Sequence, residues 1–144
     1  EDFEIDNNIS IKRTYYVDDK ETSTFKEGDM VKVVLYVSTD ESKPYSNQIY
    51  NITDMLPSGL KSLTKTRSWN RSYPYFVSSQ ETKFYWSPSK ENWYGNTSYD
   101  EYFTYYASVV NPGEFYADPA KIESFYDESI VNISEADYVT IRKN

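Results

Sequence analysis

At 144 residues with a formal net charge of −8, the chain has the size of one domain and is too acidic to grip a phosphate backbone or an anionic membrane. It contains neither cysteine nor histidine, which removes disulfides, thiolate nucleophiles, zinc fingers and Ser-His-Asp triads together. No stretch approaches the roughly 20 apolar residues of a membrane span, so membrane insertion by this segment is not expected.

The apolar fraction is only 38%, yet 18% of the residues are aromatic, with 16 tyrosines and 7 phenylalanines. Tyrosine buries a large ring and asks for one hydrogen-bond partner. The mean hydropathy of −0.78 therefore understates the core, and such aromatic content is not that of a disordered chain. The sequence carries no signal peptide and starts at Glu1, so it is expected to be a piece of a longer chain with any targeting segment elsewhere.

Residues 1–8 read as a linker or frayed start, and residues 9–142 as one domain. Ile9, Ile11, Arg13, Tyr15 and Val17 alternate with Ser10, Lys12, Thr14 and Tyr16, the period of a strand. Asp18-Asp19-Lys20 reads as a turn, and Phe25 restarts the apolar pattern. Glu27-Gly28-Asp29 is a second turn, with Gly28 free to take positive φ. Val31, Val33, Leu35 and Val37 then face one way, and Lys32, Val34 and Tyr36 the other. Residues 39–47 form a polar loop, and Ile49 to Asp54 a short strand. Pro57-Ser58-Gly59 reads as a turn with Gly59 in the left-handed position. Residues 64–80 read as a long loop pinned by aromatics. Lys83 to Trp86 is a short strand, followed by a second polar loop over 87–98. Tyr99 to Val110 is a strong strand that puts Phe103, Tyr105 and Val109 on one face, and Pro112-Gly113 ends it. Asp118-Pro119 resembles a helix start, with Ile122, Phe125 and Tyr126 on one helical face. Ile130 to Ile133 and Tyr138 to Ile141 are the last strands. About seven short strands and one helix near residues 119–126 give an all-β class, an antiparallel β-sandwich of Ig-like type.

No constellation points to catalysis. Asp18/Asp19, Asp100/Glu101 and Asp127/Glu128 are neighbours, and neighbours on a strand point to opposite faces. No calcium-loop signature occurs; Asp118, Asp127 and Glu128 are the loop carboxylates that could form an irregular site. Trp69, Tyr73, Tyr75, Trp86, Trp93 and Tyr94 lie in or beside loops, where rings either stack on a sugar or plug the ends of the sandwich. A Lys–Asn isopeptide crosslink would need Lys32 with Asn51 or Asn132. Sequons stand at Asn8, Asn51, Asn70, Asn96 and Asn132 and matter only in a eukaryotic source. No catalytic, cofactor-binding or metal-binding residue is therefore expected, and no cofactor.

Four segments carry a resemblance. Gly28-Asp29-x-Val31-x-Val33 is followed by Asp54-x-Leu56-Pro57-x-Gly59-Leu60. Next comes Tyr105-Tyr106-Ala107-Ser108-Val109-Val110-Asn111-Pro112-Gly113-Glu114-Phe115, and then Pro119-Ala120-Lys121-Ile122-Glu123-Ser124-Phe125-Tyr126. In this order, over residues 9–142, they resemble the C-terminal, receptor-binding-like macroglobulin domain of bacterial α2-macroglobulins. There the last two segments read "Y-x-A-R-V-V-x-P-G-x-F" and "P-P-A-x-A-E-x-M-Y". Asp118 stands where the first Pro is usual, and Phe125 where Met is usual. The resemblance implies a non-catalytic domain of a bacterial protease inhibitor, secreted, surface-anchored or periplasmic. It implies packing against a thioester domain of the same parent chain, with proteases engaged only indirectly. Lys121, Ile122, Phe125 and Tyr126 are the implied interdomain contact, on a short helix docked through Ile122 and Phe125. The chain has no thioester Cys-x-x-Gln element and cannot trap a protease itself. The rival reading is an Ig-like stalk or ligand-binding domain of a bacterial surface adhesin.

Overall fold

Alternation of apolar and polar side chains along three long segments builds the first sheet. In the computed structural model, which describes residues 4–63, 74–88 and 99–144, strands β1 (Ile9–Val17), β4 (Met30–Thr39) and β9 (Asp100–Val109) lie side by side and antiparallel. Short strands β2 (Lys20–Glu21) and β6 (Leu60–Ser62) flank them, giving the order β2-β1-β4-β9-β6. The register sets Val33 between Tyr15 and Tyr105, and Leu35 between Arg13 and Phe103. Val31, Val33, Leu35 and Val37 are all fully buried, as are Phe103, Tyr105 and Val109 to within a few per cent. The expected inward faces of all three strands are thus observed.

The hairpin from β1 to β2 has a two-residue turn, since Val17 pairs with Lys20. Asp18 and Asp19 both take positive φ, 50° and 64°, which matches the strands' right-handed twist. Gly28 also has positive φ, 91°, in the turn before β4.

A second sheet runs β12 (Val131–Ile133), β11 (Lys121–Ser124), β5 (Tyr50–Met55), β8 (Glu81–Trp86), β7 (Phe76–Val77). Its inner face meets the first sheet: Phe84 packs on Phe103 with ring centroids 4.9 Å apart and on Tyr105 at 6.3 Å. A third sheet, β10 (Gly113–Ala117), β13 (Asp137–Arg142) and β3 (Thr24–Lys26), delivers Val139, Ile141 and Phe25 to the same core. Its β13–β3 pair is parallel. Ahead of β1, the Asp6 N–H donates to Val131 O at 2.9 Å.

Two local expectations are corrected. No helix forms near residues 119–126. Ala120, Ile122 and Ser124 point inward and are buried, while Lys121 and Glu123 point outward. That is period two, and β11 pairs with both β5 and β12. The two ladders satisfy backbone groups that an isolated short helix would leave marginal. The one helical turn among the described residues is instead α1 (Lys43–Ser46), inside the expected polar loop. The second correction concerns Gly59, which is not among the positive-φ residues. Glycine is needed there for space: a Cβ would run into Ile141 Cδ1 and the Phe115 ring.

Candidate functional site

The four residues expected to form an interdomain contact separate on the structure. Ile122 sits in register between Ile52 and Asn132 and is fully buried in the domain's own core. Lys121 is on the outer face of β11, its Nζ 3.4 Å from Glu123 Oε2. Phe125, expected to dock inward, is 48% exposed, and Tyr126 is 74% exposed. The difference follows from the strand: two residues past Glu123 on the same alternation, Phe125 must face outward.

Sequence reasoning missed the neighbours of this corner. Glu123, Asn51 and Tyr85 stand abreast across β11, β5 and β8. Tyr75 lies flat on Tyr85 with centroids 3.9 Å apart, and its hydroxyl donates to Asn51 Oδ1 at 2.5 Å. Tyr85 continues to Phe125 at 5.3 Å. Tyr75, Tyr85 and Phe125 therefore form one aromatic strip along the outer face of the second sheet, and the exposed Tyr126 follows Phe125 in the chain. Outward positions of β11, β5 and β8 set abreast would have revealed it, had β11 been recognised as a strand.

The corner is held by a small polar network. Ser124 is buried, and its Oγ accepts the N–H groups of Tyr126 at 3.1 Å and Asp127 at 3.2 Å. The same hydroxyl donates to Gln48 Oε1, and Gln48 Nε2 donates to Pro44 O at 3.0 Å. Phe125 N–H donates to Ile49 O at 2.9 Å, and Ser124 N–H to Ile130 O at 3.0 Å. Asp127 Oδ1 takes both the hydroxyl and the N–H of Ser129, at 2.6 and 3.0 Å. Those two bonds stabilise its charged form and lower its pKa.

Behind the strip, an ionic junction ties the three sheets together. Arg13 donates to Asp54 Oδ1 at 2.6 Å, with both side chains fully buried. It also reaches Asp137 Oδ2 at 3.3 Å and Ala117 O at 3.4 Å. The Tyr105 hydroxyl donates to the other oxygen of Asp54. Asp54 and Tyr105 belong to two of the segments that carried the resemblance, and their meeting gives both a structural role. Burial raises the Asp54 pKa, opposed by Arg13 and by the Tyr105 hydrogen bond. Burial acts most strongly on Arg13 and lowers its pKa, but the charge and hydrogen bond of Asp54, together with Tyr15 and Asp137, outweigh it and keep the guanidinium above its ordinary value. Tyr105 and Tyr15 are both pushed up, chiefly by burial.

These tyrosine shifts predict alkaline sensitivity. A group whose folded pKa lies above its unfolded value gives stability that is complete below the unfolded value, about 10 for tyrosine, and lost as pH climbs past it. The denaturant midpoint is expected to hold up to about pH 9 and fall steadily from about pH 10 upward. A midpoint flat across pH 9 to 11 in a series of chemical melts would contradict this.

The other candidates are placed as follows. Among the described residues, no group of three or more acidic side chains is arranged to share a metal ion. Lys32 lies in the first sheet between Tyr16 and Tyr106, whereas Asn51 and Asn132 are both in the second, so neither asparagine adjoins it. Trp86 is buried beside Tyr50, centroids 5.6 Å apart, which is the plugging role. Trp69, Tyr73, Trp93, Tyr94, Asn70 and Asn96 lie outside the described residues.

Two facing sheets and a third that feeds the same core define a macroglobulin-type sandwich domain. The chain belongs to the family described as the bacterial α2-macroglobulin MG10 domain, whose model matches residues 9–129. Native α2-macroglobulin from Escherichia coli, spanning domain MG7 to the C-terminus, is similar in fold: TM-score 0.70 and 19% identity over 94% of this chain and 24% of that one. The E. coli protein activated by porcine elastase gives TM-score 0.71 at 19% identity, over 98% of this chain and 14% of the other. Salmonella α2-macroglobulin reacted with methylamine gives 0.67 at 17% identity, over 94% of this chain and 9% of that one. The chain thus spans a quarter or less of these relatives. No curated protein matches its sequence.

Proposed function

We propose that this domain is a non-catalytic part of a bacterial α2-macroglobulin-like protease inhibitor, secreted or held in the cell envelope. Its task is to pack against the thioester domain of the same parent chain and keep the unreacted trap closed. The observation that carries the reading is the Phe125–Tyr126 corner. These two rings stand where the family's segment has Met-Tyr, and the domain's own core uses neither. Exposed aromatics with a fixed backbone are well suited to a partner surface, since they bring large contact area at low entropic cost. Family membership favours this over a stalk domain of an adhesin.

Phe125→Ala in the full-length parent protein tests it. The side chain is half exposed, so its removal should lower the melting temperature little, while thioester loss to methylamine should accelerate several-fold. A variant that melts lower but loses its thioester at the wild-type rate would show that Phe125 serves only the domain's own packing.

A further inference from the structure

We infer that Ser124 is a positioning residue for the Phe125–Tyr126 contact, acting through the turn and touching no partner itself. The inference rests on the proposed packing against the thioester domain. A serine hydroxyl offers one donor and two acceptor sites, and here all three are used. The proton goes to Gln48 Oε1, which leaves the lone pairs for the N–H groups of Tyr126 and Asp127. Gln48 is oriented in turn by its Nε2 bond to Pro44 O. The backbone bearing Tyr126, 74% exposed, is thus set from beneath by a chain of bonds running back to α1. Rigidity of this kind lowers the ordering cost of docking an exposed ring. Without the hydroxyl, the amides of residues 126 and 127 lose their acceptor, and the corner can leave its docking geometry while β11 stays paired.

The experiment uses the full-length parent protein with Ser124→Ala, Ser124→Thr, Gln48→Met and Phe125→Ala. Two quantities are read: amide exchange at Tyr126 and Asp127, and the rate of thioester loss to methylamine. Ser124→Ala is expected to speed exchange at both amides by about fivefold or more, the change set by one ordinary hydrogen bond, and to speed thioester loss in the direction of Phe125→Ala. Gln48→Met should do both to a smaller degree. Ser124→Thr keeps the hydroxyl and should stay near wild type on both. If Phe125→Ala accelerates thioester loss and Ser124→Ala does not, the positioning role is wrong and the contact stands. If neither accelerates it, the contact itself is wrong and the positioning role falls with it. Unchanged exchange at both amides in Ser124→Ala would also overturn the role.

Discussion

Val33→Asp is expected to cost about 3–5 kcal/mol and to lower the melting temperature by roughly 10–20 °C. Val33 is fully buried at the middle of β4, between Tyr15 on β1 and Tyr105 on β9. A carboxylate placed there has no water. The nearby buried cation, Arg13, is already committed to Asp54 and Asp137. The new charge would have to protonate or compete with Asp54, and both routes cost free energy. Val34→Asp is the matched control, one residue along on the outer face and only partly buried; it should cost less than about 1 kcal/mol. Chemical melts of both variants decide the matter. A larger loss for Val34→Asp than for Val33→Asp would mean that the strand register is wrong, because a slip of one residue exchanges the two faces.

Arg13→Met is the second large effect expected, at about 3–5 kcal/mol. Most of this is not the strength of the ion pair. Two buried charges recover little more than their desolvation, whereas one left alone recovers nothing. Removing Arg13 strands Asp54, which is fully buried and keeps only the Tyr105 hydroxyl and backbone as partners. The double variant Arg13→Met/Asp54→Asn should therefore be more stable than Arg13→Met alone, since it removes the stranded charge as well. A double variant no more stable than Arg13→Met alone would show that the stranded Asp54 charge is not what makes the single change costly, contrary to this account.

The long strands were legible because nothing interrupts their alternation: Val31, Val33, Leu35 and Val37 have only one reading as a half-buried strand. Strands of two to five residues, such as β6, β7 and β10, are too short for a period to register. The segment from Asp118 misled for a different reason. Ile122, Phe125 and Tyr126 fit helical spacing over a few residues, while the true inward set, Ala120, Ile122 and Ser124, is mostly small or polar and leaves little hydrophobic signal. The ladder with β5 and β12 then overrode local preference. The partners in the ionic junction could not be read, since Arg13 meets Asp54 across 41 residues and Asp137 across 124. One trace of it was visible: an arginine on the inward stripe of β1, among Ile9, Ile11 and Tyr15, needs a buried partner. Phe125 and Tyr126 came from the resemblance. Their orientation and the Ser124 network beneath them came only from the structure.

Hydroxyl-radical footprinting of the native full-length parent protein tests the central claim most directly. Tyr126 and Tyr138 are 74% and 73% exposed on this domain, so on the domain's geometry alone they should label alike. Tyr126 lies on the corner that packs against the thioester domain in this account, and Tyr138 on β13 of the third sheet. The account predicts that Tyr126 is labelled several-fold more slowly than Tyr138 in the native protein. Comparable labelling of the two tyrosines would contradict it.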